Sequence, residues 1–100
     1  MLIISGTIKV KPETRADAIA AAQELMRLTQ AETGCRTYRF SSALDDPNLF
    51  LIYEEWEDEA ALMQHFATPH MAAFNTAVPK FLAGAPSITR YDVSGSTKLM

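Results

Sequence analysis

Leu49-Phe50-Leu51-Ile52-Tyr53-Glu54-Glu55-Trp56-Glu57-Asp58 runs without a break into Glu59-Ala60-Ala61-Leu62-Met63-Gln64-His65-Phe66-Ala67-Thr68-Pro69-His70-Met71. Its first five residues are a continuous apolar run of strand formers, which predicts a strand covered on both faces. Alternation places Phe50, Ile52, Glu54 and Trp56 on one face and Leu49, Leu51, Tyr53 and Glu55 on the other, so Glu54 and Trp56 are neighbours in space. Asp58 is a suitable N-cap for the helix that follows, where Leu62 and Phe66 share a stripe and His65 sits at its edge. Thr68 and Pro69 then restart the chain as another helix, with a core stripe of Met71, Phe74, Val78 and Phe81. His70, four residues before Phe74, borders the inward face of that helix.

Working outward, Leu2 to Val10 alternates as a half-buried strand, with Leu2, Ile4, Gly6, Ile8 and Val10 on one side. Pro12 or Thr14 opens a helix predicted to run to Thr33, where Ile19, Ala22, Met26 and Thr29 recur at helical spacing and Gly34 stops it. Cys35 to Leu44 has strand composition, and Asp45-Asp46-Pro47-Asn48 is a turn that joins it to the next strand as a hairpin. Gly84-Ala85-Pro86 leads into a last strand over Ser87 to Val93, and 94–100 reads as a loose tail. The order strand, helix, strand, strand, two helices, strand fits an α+β domain of ferredoxin-like, split βαβ type, with a four-stranded antiparallel sheet and helices on one face. Apolar residues on both strand faces then predict a homodimer joined through the sheets as a dimeric α+β barrel, with Ile4 and Ile8 inside the sheet-paired core.

One hundred residues make a single domain over 1–100, and 48% hydrophobic content argues for a packed globule. A formal charge of −3, with its arginines scattered rather than clustered, argues against nucleic acid as a partner. No leader-like pattern opens the chain and no apolar run approaches the ~20 residues of a membrane span, so the expectation is a soluble cytoplasmic protein without a membrane partner. Cys35 stands alone, which excludes an internal disulfide and a thiolate-rich metal site. It reads as a small buried hydrophobe.

Gly34-Cys35-x-x-Tyr38, Asp46-Pro47, Glu54-x-Trp56-x-Asp58, Ala61-Leu62-x-x-His65 and Thr68-Pro69-His70-Met71 with Phe74 together resemble the antibiotic biosynthesis monooxygenase family, and within it the small bacterial quinol monooxygenases. The resemblance runs over nearly the whole chain. It implies a dimeric α+β barrel that oxygenates a quinol or polycyclic phenol with O2, without metal, flavin or haem as cofactor.

Triplet dioxygen reacts with such a substrate once a phenol or hydroquinone hydroxyl has been deprotonated, so the protein must supply a base and an apolar slot. The available bases are His65, taken first, then His70, and Glu54; Trp56, Tyr38, Tyr53, Phe66 and Phe74 are the residues expected to shape the slot. Each has a plainer rival. A buried histidine or carboxylate near a tryptophan also serves simply as a hydrogen-bonding strut, and Trp56 as core. The acidic run Glu54, Glu55, Glu57, Asp58, Glu59 is discounted as a metal site, because three of the five fall where a helix begins and carboxylates are favoured there. Haem degradation is disfavoured: relatives of that kind carry an asparagine on the first strand, where Gly6 and Thr7 stand here, and a histidine ten residues past the tryptophan, where this chain has Phe66. A non-enzymatic dimer binding a small hydrophobic ligand, and an isomerase acting on a small polar carbonyl compound, remain as alternatives. Cavity polarity separates the last from a quinol enzyme.

Overall fold

A computed structural model describes residues 1–100. Strands β1 (Leu2–Lys9), β2 (Cys35–Ser42), β3 (Leu49–Trp56) and β4 (Ser87–Asp92) form one sheet in the order β2-β3-β1-β4, every neighbouring pair antiparallel. Helices α1 (Arg15–Thr29), α2 (Glu59–Phe66) and α3 (Pro69–Ala77) complete the α+β fold. The expected element order and hairpin are present.

Local chemistry explains the boundaries. Asp58 accepts the backbone N–H of Ala61 at 2.9 Å, and Thr68 accepts that of Met71 at 3.2 Å, so α2 and α3 both begin on side-chain caps. Asp46 accepts the N–H of Asn48 at 2.9 Å and closes the β2–β3 turn. Pro79 converts the end of α3 into a short 3-10 turn over Val78–Lys80. α1 is shorter than the sequence predicts: it ends at Thr29 and the chain turns through residues 30–33. Gln30, the C-cap with helical backbone, donates from its side-chain Nε2 to the Tyr38 carbonyl at 2.8 Å, tying this turn to β2. Gly34 then adopts φ +85°, and a Cβ there would lie 2.5 Å from the Ala61 Cβ. Gly34→Ala is therefore expected to cost about 1–2 kcal/mol from the left-handed backbone alone, and more from the clash with α2. A thermal midpoint equal to wild type would show that the α1–β2 turn relaxes freely.

The core lies between the sheet and the helices. Leu2, Ile4 and Ile8 of β1 and Phe50, Ile52 and Trp56 of β3 are buried against Ala18, Ala22, Leu25, Leu62 and Phe81. This corrects the placement of Ile4 and Ile8. They face the chain's own helices, not a partner's sheet, because they share the side of β1 that pairs laterally with the Glu54–Trp56 face of β3. The opposite sheet face carries no helix, and it is not the continuous apolar surface expected. Across its rows stand Thr37, Glu55, Ile3 and Tyr91, then Arg39, Tyr53, Ser5 and Thr89, then Ser41, Leu51, Thr7 and Ser87. Within the chain, only the Phe50 and Ile52 side of β3 is fully covered; Leu51 and Tyr53 on the other side stay more than a third exposed. No helix is long and apolar enough to cross a membrane.

Candidate functional site

A cavity of about 340 Å³ lies between the sheet and helices α2 and α3. Ile4, Ile8, Phe40 and Ile52 make its sheet floor, Phe66, Met71, Phe74 and Val78 its helical side, and Pro86, Ile88 and Arg90 its β4 edge. Tyr38, Glu54 and His65 line this mainly apolar space side by side, with Asn75 and Arg90 as its other polar residues. They converge because Tyr38 and Glu54 are register partners on neighbouring strands, and α2 lays His65 across them, its ring centroid 5.4 Å from that of Tyr38.

Glu54 is buried beside Ile4, its register partner on β1. Trp56 donates from Nε1 to Glu54 Oε1 at 2.9 Å. Burial pushes the Glu54 carboxyl up to about 7; the indole N–H opposes that shift, and the negative charge of Glu32 adds to it. Burial likewise holds the Tyr38 phenol far above its ordinary value, so Tyr38 is a neutral hydroxyl at any working pH. Burial, with the charges of Glu32 and Glu54, raises the Cys35 thiol to about 11, which leaves it protonated near neutral pH; it is half-buried against the core rather than enclosed in it as expected.

The raised Glu54 predicts a pH effect on stability. Its folded pKa lies above the unfolded value, so its contribution is full below about 4.5 and is lost as pH rises through about 7. The loss amounts to about 3 kcal/mol. Glu54→Gln, which keeps an acceptor for the indole, should remove that dependence and be the more stable protein at pH 8. Parallel wild-type and variant curves between pH 4.5 and 8 would show that Glu54 is not desolvated.

His65 is 1% exposed, making it one of the most deeply buried side chains in the molecule rather than an edge residue. Its ring packs on Trp56 with centroids 4.8 Å apart. Its Nδ1 lies 2.8 Å from Glu32 Oε2, and His70 Nε2 lies 2.6 Å from the same oxygen. The Thr68-Pro69 break makes this possible: it turns α3 back so that the end of α2 and the start of α3 both face the α1–β2 turn carrying Glu32. Sequence reading missed Glu32. One signal was available, since a carboxylate just past a helix C-terminus stands at the negative end of the dipole and needs an offsetting partner.

The expected site residues divide. Glu54, His65, Tyr38, Phe66 and Phe74 share the cavity wall. Trp56, fully buried, stands behind Glu54 and braces it. His70 lies outside, on a cleft between α1 and α3, and meets the site through Glu32 and through its ring, 6.1 Å from that of His65. Tyr53 is a correction: it stands on the opposite sheet face, where its hydroxyl donates to Glu55 at 2.6 Å, because strand alternation carries it away from Glu54. A smaller hollow of about 170 Å³ between α1 and the β2–β3 hairpin has Arg15 as its only charged residue and no base.

Glu32, His65 and His70 also form the one grouping with metal-ligand chemistry, their donor atoms all within 4.8 Å of one another. Two imidazoles and a carboxylate suit a first-row divalent ion in kind. The oxygen–nitrogen separations of 2.8 and 2.6 Å are nonetheless hydrogen-bond lengths. They are tighter than the ~3.3 Å edge between ligand atoms each ~2.0–2.1 Å from a tetrahedral zinc. Shared protons close this cluster as it stands.

Fold and site together define a class: an antiparallel α+β domain with a carboxyl and an imidazole on the wall of an apolar cavity under its helices. The family model for antibiotic biosynthesis monooxygenase matches residues 1–77, and the chain belongs to that family. The Bacillus subtilis protein named "Putative monooxygenase YcnE" is 32% identical over 94% of this chain and 99% of its own length. The uncharacterized protein sll1783 of Synechocystis is 34% identical over 98% of this chain and 67% of its own. Among solved structures, the "putative antibiotic biosynthesis monooxygenase" of Deinococcus radiodurans superposes with a TM-score of 0.92 at 28% identity, covering 100% of this chain and 99% of that one.

Proposed function

We propose that this chain is a monooxygenase that oxidises a quinol or polycyclic phenol with O2 and needs no metal, flavin or haem. The observation that carries the reading is the pairing on one apolar wall of a buried imidazole, His65, with a carboxyl, Glu54, raised to about 7. An imidazole and a carboxylate are both groups able to accept a hydroxyl proton, and the surrounding Phe40, Phe66, Phe74 and Ile52 suit a flat ring. Removing that proton makes the ring an electron donor to O2. One oxygen atom then forms a carbon–oxygen bond on the ring and the other leaves as water, the four electrons coming from the substrate. The neutral Tyr38 hydroxyl is a donor for the oxygenated intermediate.

Arg90 supports the aromatic reading over a small anionic carbonyl substrate. It is the only cationic residue on the wall and it already meets Glu59 at 3.1 Å and Asp92 at 3.0 Å, whereas a phosphorylated substrate calls for several free donors. We further propose that the chain works as a homodimer joined through the helix-free sheet face, where Ile3, Leu51, Tyr53 and Tyr91 supply apolar area among polar rows. Such an interface is wetter than a core, which suits its mixed composition.

Oxygen uptake with anaerobically prepared naphthoquinols, measured with and without a chelator, tests the activity. Uptake that survives the chelator supports the reading; no uptake with any quinol or polycyclic phenol overturns it. Light scattering tests the assembly, and a monomer at micromolar concentration would remove the sheet-paired dimer.

A further inference from the structure

The contact between His65 and Glu32 fixes which ring nitrogen of His65 is free to accept a proton. An ionised carboxylate only accepts hydrogen bonds. A nitrogen 2.8 Å from Glu32 Oε2 therefore carries its hydrogen, and so does the His70 nitrogen 2.6 Å from that oxygen. A neutral imidazole has one N–H to give. With Glu32 as a carboxylate and each ring neutral, the geometry assigns His65 the Nδ1–H tautomer with the lone pair on Nε2, and His70 the Nε2–H tautomer.

We propose that Glu32 is a positioning residue: it selects the His65 tautomer, holds the ring against Trp56, and supplies the negative charge that compensates the imidazolium formed when a substrate hydroxyl proton reaches Nε2. The inference rests on the reading of His65 as a proton acceptor on the cavity wall. Three features of the geometry favour it over a mere strut. His65 is 1% exposed, so an imidazolium there has almost no water to stabilise it and depends on a fixed counter-charge. Glu32 comes from the α1–β2 turn and His65 from α2, elements packed so closely that a Cβ at Gly34 would collide with Ala61, so the backbones that carry the pair are held at a fixed separation. His70 Nε2 lies 2.6 Å from the same oxygen on the half-buried side, which holds the carboxylate in its orientation toward His65. The proton balance is simple. The substrate O–H proton moves to His65 Nε2, His65 keeps its Nδ1–H, and Glu32 remains ionised throughout.

Nitrogen-15 NMR of the His65 ring reads the tautomer without any substrate. The wild type is expected to show a protonated Nδ1 and an unprotonated Nε2, and Glu32→Ala to shift the ring toward Nε2–H. A wild-type ring found as Nε2–H, or a tautomer unaltered in Glu32→Ala, overturns the proposal. Kinetics supply the second arm. Glu32→Gln keeps an oxygen acceptor and removes the charge, so it should lower kcat about tenfold or more while KM moves less than about twofold. Glu32→Asp, which restores the charge on a shorter stem, should recover part of the loss. Equal kcat in wild type and a folded Glu32→Gln protein also overturns it. If no quinol is turned over, the function fails while the tautomer measurement still decides the role of Glu32.

Discussion

Trp56→Ala is expected to remove about 3–5 kcal/mol of folding free energy, a large share of the ~5–15 kcal/mol that holds a domain of this kind together. The indole is wholly buried, set edge-on to Tyr38 with centroids 6.4 Å apart and packed on His65. Its loss opens a void where β1, β2 and β3 meet, since Leu2 and Cys35 are its register partners on either side. It also strips Glu54 of its N–H donor, and a buried carboxyl left without a partner adds to the cavity cost. Trp56→Phe separates the two effects. It keeps most of the ring volume and removes only the donor, so it should cost much less stability while moving the Glu54 carboxyl still higher. Urea denaturation checks both, and with a slope of about 1–3 kcal/mol per molar the Ala variant should lose more than about 1 M in midpoint. A midpoint shift below a few tenths molar would mean that the core closes over the gap.

His65→Ala carries the second large effect, a fall in kcat of at least about tenfold, and within the ~10²–10⁴ range for a lost general base if His65 alone takes the hydroxyl proton. Its stability loss complicates the comparison, because Glu32 would retain only His70 as donor. His65→Gln answers this. A glutamine fills most of the ring's space and can donate its amide to Glu32, yet it is no base, so it should stay folded and lose turnover as the Ala variant does. Oxygen uptake unchanged in a folded His65→Gln protein removes His65 from the chemistry and leaves Glu54 as the proton acceptor. In that event kcat should rise with pH through about 7, as the Glu54 carboxyl ionises.

Much of this molecule is legible from local pattern. The caps at Asp58 and Thr68, the Asx turn at Asp46, the sharing of one face by Glu54 and Trp56, and the element order all follow from interactions between residues a few positions apart. Such interactions are fixed by backbone geometry and need no knowledge of the rest of the chain. What local pattern leaves open is mostly long-range, Tyr53 excepted. The apolar run of β3 says nothing about which side the helices take, so Ile4 and Ile8 were assigned to a partner's sheet when they face the chain's own helices. Tyr53 is a residue whose own strand period already placed it apart from Glu54.

By itself the sequence determined an α+β domain with a four-stranded antiparallel sheet, and put a carboxylate and two histidines near its interior. Tertiary structure alone decided how they divide: Glu54 and His65 on one cavity wall, His70 behind it, and Glu32 bound to both imidazoles from 33 and 38 positions away in the chain. The physical reason is that helical and strand periodicity repeats over a few residues and orients each side chain within its own element. The meeting of a turn, a helix end and a helix start at one oxygen atom depends on how whole elements pack, and only burying the core sets that.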